Sequence, residues 1–573
     1  MIDFKTLKSQ AKTVGKAASK SARLAVLGNY STQFLTMALD YSGLIAGIGF
    51  ETYEAGYDQA EAEVYDPDSA LYRHDPDFIL ITLSTLKLQT RFYALPEEKR
   101  ISFTDDLIGE LRGLLTTLRS RSRARIILNN LEIINDQIFG SLYAKVDRSF
   151  AAKPYELNGE LLGLIKTMDD CYLFDLNGLV QYYGAVNVRD WAQYVNADLH
   201  FSLDFHATFA KHLTAFIAAF LGAVKKCLIF DLDNTIWGGV IGDDGIGGIE
   251  IGSLGTGKSY TELQQWFKQL KERGILLAVC SKNDEAIAKE PFEQHPEMIL
   301  RLTDIAVFIA NWENKADNIR TIQQILNIGF DSMVFIDDHP AERFIVRQQL
   351  PEVCVPELPE DPAQYLDLLK SLHLFETASL MSGDKDRTLQ YQQEAQRKQL
   401  QFAITDIGDY LKSLGMRASI GPFETEDIPR IAQLSQRSNQ FNLRTTRYSE
   451  TEIRRVISSP DYFTIAVKLR DRFGDYGLIS TLILKKMDKR SVFIDTWIMS
   501  CRVLKRGVEC VTLNYCVALC AEAGYDLLVG EYIATARNGL VKDHYRDLGF
   551  SSKEGRWFLN TKEYSPCSHH LNG

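Results

Sequence analysis

Residues 227–235, Cys227-Leu228-Ile229-Phe230-Asp231-Leu232-Asp233-Asn234-Thr235, decide how the chain is read. Four apolar residues in a row mark a strand buried on both faces, the pattern of a parallel sheet. Two carboxylates follow it at i and i+2, on the turn beyond the strand. Open α/β sheets bind ligands in the crevice at the carboxyl ends of their strands, so both acids are expected to face one. A carboxylate placed there can attack phosphorus and carry an aspartyl-phosphate, which splits one hard displacement into two easier ones. A second can protonate the leaving oxygen and later activate water. Asp231 is the candidate nucleophile and Asp233 the candidate acid/base.

Outward from this stretch the same grammar repeats. Residues 275–280, 307–309 and 334–336 are further buried-strand runs. Leu263, Trp266, Phe267 and Leu270 recur at i, i+3, i+4 and i+7, which predicts an amphipathic helix over 260–273 closed by Gly274. A second helix is expected over 316–327. Past the last strand comes another acidic pair, Asp337-Asp338. Clustered anions need a cation to draw them to a phosphate, and Mg²⁺, hard and oxygen-seeking, is the natural choice. The expected metal set is Asp231, Asp233, Asp337 and Asp338, with Asp338 as direct ligand and Asp337 as its support. Ser281, just past a strand, Lys315, at a helix start, and Asn234 and Thr235 are the expected phosphate binders. The ammonium of Lys315 can neutralise nucleophile and phosphoryl group alike.

Composition sets the outer limits. At 573 residues, 45% hydrophobic and 24% charged, the chain is an ordinary multidomain globular protein. The net charge of −11 argues against a general nucleic-acid binder. Nine scattered cysteines without a C-x-x-C pair read as reduced thiols in a cytoplasmic protein. No apolar run is long enough to span a bilayer. The first 23 residues carry Lys5, Lys8, Lys12, Lys16, Lys20 and Arg23 among few acids and read as a solvated lead-in helix; a transit peptide is the alternative.

The flanks divide in their own way. Residues 24–27, 78–81 and 126–128 are strand signals, with a helical stretch at 104–120 between them, so the N-terminal block is α/β. Four of the fifteen prolines fall within 351–362, a domain edge. Residues 363–413 read as helical and polar, and the remainder as α+β. Phe463, Ile465, Val467 and Leu469 alternate as a half-buried strand, and 474–477 is expected to be a turn. Strands follow at 478–484, 492–499 and 526–533, with a helix near 507–521. Gly252 to Ser259 spells G-x-x-x-x-G-K-S, the phosphate-loop expression. The glycine-rich residues before it make a poor central strand, which argues against a nucleotide site.

The ordered set Asp231/Asp233, Ser281, Lys315 and Asp337/Asp338 resembles the four motifs of the haloacid dehalogenase superfamily (subfamily IIIC-like). Longer stretches narrow the likeness. CLIFDLDNTIWGGVIGDDG at 227–245, LLAVCSKND at 276–284, FIDDHPAER at 335–343, QRSNQFNLRTTRY at 436–448, DRFGDYGL at 471–478 and CRVLKRGVE at 501–509 closely resemble the FkbH-like family of phosphatase/glyceryltransferases of polyketide biosynthesis. His339 departs from the asparagine expected in many relatives.

The resemblance implies a Mg²⁺ enzyme that dephosphorylates 1,3-bisphosphoglycerate. It then loads the glyceryl unit as a thioester onto a phosphopantetheinylated acyl carrier protein, with no nucleic-acid or membrane partner. Stand-alone phosphatase, loading of another acyl unit and non-catalytic docking are the alternatives. It also implies an α/β multidomain fold in four parts. Residues 1–220 form an SGNH-hydrolase-like α/β domain and 221–362 a haloacid-dehalogenase-like Rossmannoid parallel sheet with a minimal cap. Residues 363–413 are a helical linker and 414–573 a GNAT-like α+β domain. Gly28-Asn29-Tyr30 stands where such hydrolases carry Gly-Asp-Ser, and neither His200 nor His206 has the Asp-x-x-His spacing, so the first domain is read as non-hydrolytic. Cys280 is a candidate acyl-carrying thiol. Asn439, Gln440, Asn442, Arg472, Asp475, Arg502, Arg506 and Gly507 are candidates for the acyl or pantetheine pocket, and His544 and Tyr545 are taken as structural.

Overall fold

The computed structural model describes residues 1–14, 18, 20–378, 393, 397, 406–438, 441–500, 503–535 and 538–571. They fall into two compact units, 1–224 with 369–379, and 225–368 with 380–573. No helix among the described residues is long and apolar enough to cross a membrane.

The first unit is built on a five-stranded parallel sheet. Its strands are β1 (Lys20–Gly28), β2 (Ile48–Glu54), β3 (Phe78–Thr82), β4 (Arg125–Asn129) and β5 (Cys171–Phe174), in the order β2-β1-β3-β4-β5. Strand alternation explains why the central strands are apolar throughout. Ala25, Leu27, Ile79 and Ile81 join a core on one face, and Leu24, Val26, Phe78 and Leu80 a core on the other. Helix Phe103–Arg121 covers the first face with Leu107, Leu111, Leu114 and Leu118. Helix Leu203–Phe220 covers the second with Phe205, Phe209 and Leu213. The lead-in residues form helix Phe4–Val14, whose Phe4 and Leu7 are buried while Lys5, Lys8 and Lys12 are exposed.

The second unit contains two sheets. One is fully parallel, ordered β8-β7-β6-β9, from β6 (Cys227–Phe230), β7 (Leu276–Ser281), β8 (Ile305–Ala310) and β9 (Met333–Ile336). The chain leaves β6 toward β7 and β8 on one side and returns to β9 on the other. The β6–β9 boundary is therefore a topological switch point, where the carboxyl ends open a crevice. Helix Gly255–Glu272 buries Leu263, Phe267 and Leu270, as the sequence pattern requires, and Gly274 follows it with φ +93.

The other sheet has seven strands, β10 (Arg417–Gly421), β11 (Tyr462–Asp471), β12 (Gly474–Lys486), β13 (Ser491–Met499), β14 (Leu527–Glu531), β15 (Ser551–Lys553) and β16 (Arg556–Asn560). They are ordered β10-β11-β12-β13-β14-β16-β15. Only the β13–β14 pair is parallel, and helix Val508–Glu522 makes that crossover. The expected turn at 474–477 is corrected. Asp471 pairs with Gly474 and Arg470 with Asp475, so the chain reverses at Arg472-Phe473. Asp471 makes the tight reversal by accepting from the amides of Phe473 and Gly474 at 2.9 and 3.1 Å. Within 363–413, helices Tyr365–Ser371 and Ile407–Ser413 are described, and most of the stretch between them lies outside the described residues.

Candidate active site

Register brings the acids together. Phe230 pairs with Ile336, so Asp231 and Asp337 are the next residues on neighbouring strands, and Asp231 N donates to Ile336 O at 3.1 Å. Lys315 begins helix Lys315–Leu326, capped by Asn314, whose Oδ1 accepts from Ala316 N at 2.8 Å. Its Nζ lies 2.7 Å from Asp231 Oδ2 and 2.5 Å from Asp337 Oδ2. Asp338 is fixed by Thr235, whose Oγ1 accepts from Asp338 N at 3.0 Å and lies 3.3 Å from Asp338 Oδ1.

One oxygen from each of Asp231, Asp337 and Asp338 lies within 4.8 Å of the others. Three carboxylates thus face one ammonium. Burial and the charge of Asp231 hold both Asp337 and Asp338 above the usual carboxylate range, with Lys315 only partly offsetting this. Burial works against the charge on Lys315, but Asp231 and Asp337 outweigh it and hold the ammonium above its ordinary range. Asp231 Oδ1 is buried without a hydrogen-bond partner. A buried oxygen of this kind amid excess negative charge fits a hard cation, and carboxylate oxygens are the donors Mg²⁺ prefers.

Asp233 stands apart from these three. Its Oδ1 accepts from Trp237 Nε1 at 2.9 Å and from Ile241 N at 3.0 Å, and its Oδ2 from Asn283 Nδ2 at 2.8 Å. Ser281 is buried just past Cys280, and Asn283 Nδ2 also reaches its Oγ at 3.3 Å. Asn234 adopts φ +54, and its Oδ1 accepts from Gly239 N at 2.9 Å, holding the short excursion between the bridged Gly238 and Glu250. Arg343 supports the acidic loop from behind, donating to the carbonyls of Asp337 at 2.7 Å and Asp338 at 2.6 Å and to Glu357 at 2.6 Å. His339 caps helix Pro340–Gln349, with Nδ1 accepting from Ala341 N at 3.2 Å, the same task an asparagine would perform. Sequence reasoning missed Asn283, Trp237 and Arg343. Only SKND after a strand and DDHPAER after another hinted that more polar groups gather there.

The remaining candidates are placed as follows. Cys280 alternates onto the opposite face from Ser281, joins the apolar core of Ile229, Ala278 and Phe335, and points its thiol at Lys315 O at 3.7 Å. Burial pushes that thiol well up, which disfavours the thiolate a nucleophile needs. In the phosphate-loop-like stretch 252–259, Gly255 to Ser259 lie in the first turns of a helix. A Cβ on Gly257 would meet Ile251 C at 3.0 Å, and Gly252 N is held by Thr261 Oγ1 at 3.1 Å. Lys258 is exposed beside Glu262 at 3.6 Å. No cradle for a phosphate is formed there.

In the seven-stranded sheet region, Asn442 is buried and its Oδ1 accepts from Thr445 N at 2.7 Å. Arg472 is exposed over the Phe473 ring, and Asp475 is exposed with Oδ1 accepting from Gly477 N at 2.7 Å. Arg506 is buried and bonded to Tyr476 Oη, and Gly507 (φ +83) opens helix Val508–Glu522. Asn439, Gln440 and Arg502 lie outside the described residues. His544 is half-buried and Tyr545 buried, packed among Phe441, Trp497 and Phe550.

In the first unit, Tyr30 is buried with its Oη 3.0 Å from Thr82 Oγ1. It walls a cleft of about 260 Å³ with Ser31, Thr32, Glu54 and Tyr57. Near its ring lies His200, whose Nδ1 is 2.5 Å from Ser84 Oγ and whose Nε2 is 3.2 Å from Asp198 Oδ1. Ser84 and His200 are sealed, at 0% and 1% exposed, so this serine–histidine–aspartate chain is closed to substrate. His206 is likewise buried, its Nδ1 near Ser202 O at 3.1 Å.

Residues 23–218 match the family model "FkbH, N-terminal domain". A solved structure from Bacteroides fragilis, the N-terminal part of a protein containing a phosphatase domain and complexed with Mg, is 46% identical. It covers 66% of this chain and 100% of its own, with a TM-score of 0.63. The chain belongs to the FkbH-like family. Weaker likenesses touch part of this FkbH-like chain. The ribosomal-protein-S18-alanine N-acetyltransferase of Escherichia coli is 16% identical over 25% of this chain and 94% of its own, with a TM-score of 0.20. The GNAT domain of S. lividans PAT is 16% identical over 26% and 94%, with a TM-score of 0.21. No curated protein matches the chain.

Proposed function

We propose that this FkbH-like protein is a Mg²⁺-dependent phosphatase and acyltransferase whose phosphoryl chemistry runs at Asp231. The observation that carries this reading is the convergence of Asp231, Asp337 and Asp338 on one another around Lys315, at the switch point of a parallel sheet. Asp231, Asp337 and Asp338 would hold Mg²⁺, which supplies charge neutralisation between carboxylate and phosphoryl oxygens. Asp231 attacks phosphorus, and the second aspartate of the motif, Asp233, donates a proton to the leaving oxygen. In the second half-reaction Asp233 takes a proton from the water that attacks the aspartyl-phosphate. Ser281 and Lys315 bind the phosphoryl oxygens, with Lys315 offsetting the charge gathered there. Asn234 and Thr235 act through the loop they brace.

The substrate reading is 1,3-bisphosphoglycerate. Its acyl phosphate is an activated acyl donor, and its C3 phosphate is a monoester suited to the Asp231 site. The acceptor is the phosphopantetheine thiol of an acyl carrier protein, which attacks the acyl carbon directly; the core setting of Cys280 supports a route without a protein thiol. Residues 414–573 are taken as the GNAT-like acyl-handling domain, with Arg506 and Gly507 at its helix start as the pantetheine end. Residues 1–220 are taken as an SGNH-like domain that docks rather than hydrolyses, a reading supported by the sealed Ser84 and His200. Residues 221–362 are the phosphatase domain and 363–413 the linker.

Intact-mass measurement of a pantetheinylated carrier, incubated with the protein, 1,3-bisphosphoglycerate and Mg²⁺, tests the assignment. A glyceryl adduct that disappears with Asp231→Asn is the expected result. Phosphate release without any adduct leaves the stand-alone phosphatase, the second reading, which the same acid cluster supports.

A further inference from the structure

We infer that Asn283 is the positioning residue that reserves Asp233 for proton transfer, so that its contribution depends on the leaving group. The inference rests on the phosphatase reading above. Its ground is the way the donors divide around one carboxylate. Oδ1 of Asp233 is filled twice, by Trp237 Nε1 at 2.9 Å and by the Ile241 amide at 3.0 Å. Oδ2 receives only Asn283 Nδ2, at 2.8 Å. A carboxylate oxygen has two lone-pair directions, so Oδ1 is saturated and Oδ2 keeps one free. The proton in transit is therefore carried on Oδ2, and Asn283 fixes where that free direction points.

Asn283 is itself held in place, 4% exposed, and the same Nδ2 lies 3.3 Å from Ser281 Oγ. One amide group thus spans the phosphoryl-binding hydroxyl and the proton-carrying oxygen. Trp237, fully buried, holds the carboxylate from the other side through the rigid geometry of its indole. Their hydrogen bonds go to Asp233 and Ser281, not to Asp231, Asp337 or Asp338, so their work is separable from cation binding.

The chemistry gives a distinctive signature. As the bond from phosphorus to Asp231 forms and the bond to the leaving oxygen breaks, an alkyl phosphate departs as an alkoxide and requires the proton from Oδ2. An aryl or acyl phosphate leaves as a stabilised anion and needs no proton at that moment. A misaimed Asp233 therefore slows aspartyl-phosphate formation from alkyl phosphates and spares the activated ones. The later hydrolysis, which also draws on Asp233, is common to both and enters kcat, so the split is read in kcat/KM. A donor bearing both an acyl phosphate and a primary phosphate ester would feel the change at the ester alone.

The test compares kcat/KM of the full chain with Mg²⁺ on glycerol phosphate and on an aryl phosphate of low leaving-group pKa. General acid catalysis contributes about 10²–10⁴-fold. Losing one of three aligning bonds is expected to cost about 10- to 100-fold in kcat/KM on the alkyl ester. On the aryl ester the loss should stay under about threefold for Asn283→Ala. Ser281→Ala, which removes a phosphoryl contact, should lower both substrates alike. Retained aryl phosphatase activity certifies that the variant is folded, and Trp237→Phe provides a second variant with the same expected split. Equal losses on both substrates, or none on the alkyl ester, overturn the inference. A wild-type protein that cleaves neither ester brings down the phosphatase reading instead.

Discussion

Two parallel sheets in this protein end in polar loops, and only one leaves its charges open. At the carboxyl ends of the first sheet the charges are matched, although Glu132 Oε2 and Arg189 Nε lack hydrogen-bond partners there too. Asn129 is tied to Leu83 through both its amide atoms. Arg189 pairs with the fully buried Glu132, and Ser84 meets His200. At the β6–β9 crevice three carboxylates crowd against a single lysine, and a buried oxygen of Asp231 has no partner. Polar content at a strand end is thus no mark of a reactive centre. What separates the two is unbalanced charge that a ligand must complete.

The comparison can be broken most decisively at Asp231. Asp231→Asn is expected to lower phosphate release by at least about 10³-fold, on the order of 4 kcal/mol of barrier, with Mg²⁺ at saturation. Residual activity at the wild-type level would place the chemistry elsewhere. Next comes Lys315→Met, which leaves two carboxylates buried without their ammonium. Denaturant unfolding in chelator should show a loss of about 3–5 kcal/mol, partly recovered by Mg²⁺.

On the sealed side, burial holds His206 down to about 4. Its neutral form is favoured in the fold and not in the unfolded chain, so the stability it contributes is complete above about pH 6.5 and falls as pH drops toward 4. The loss across that window should be on the order of 3 kcal/mol, and His206→Leu should flatten the curve of unfolding free energy against pH.

Smaller effects sharpen the contrast. Mg²⁺ at about 100 times its Kd should stabilise the metal-free protein by roughly 2.7 kcal/mol in thermal unfolding, and Asp338→Asn should blunt that shift. Ser84→Ala should cost about 1–3 kcal/mol of stability and leave phosphate release untouched. A fall in phosphate release would show that the sealed chain takes part in the reaction after all.

Much of the central sheet was legible because its strands are buried on both faces and therefore spelled as unbroken apolar runs, from Cys227–Phe230 to Met333–Ile336. The acids were legible because their places are local, one step beyond those runs. Long-range partners were not. Nothing near Asp233 in sequence announces Asn283, fifty residues on. Many of the donors that fix loops here, the amides of Gly239, Ile241 and Asp338 among them, are backbone N–H groups, which every residue but proline carries. The 474–477 stretch misled because its glycines suggest a reversal, whereas Asp471 sets it earlier by accepting two amides. Strands β2 and β5 escaped notice because both lie at the sheet's edges, β2 is only partly apolar and β5 is only four residues long.

The grip of Arg343 on the two carbonyls behind the acid pair has its own consequence. Two hydrogen bonds to consecutive peptides resist widening of that loop. Calcium asks for oxygen distances of about 2.3–2.6 Å and extra ligands, against about 2.0–2.1 Å for magnesium. Such a clamp would favour the smaller ion, so discrimination between the two alkaline-earth ions would be aided from outside the coordination sphere, by a guanidinium bonded to the loop's carbonyls.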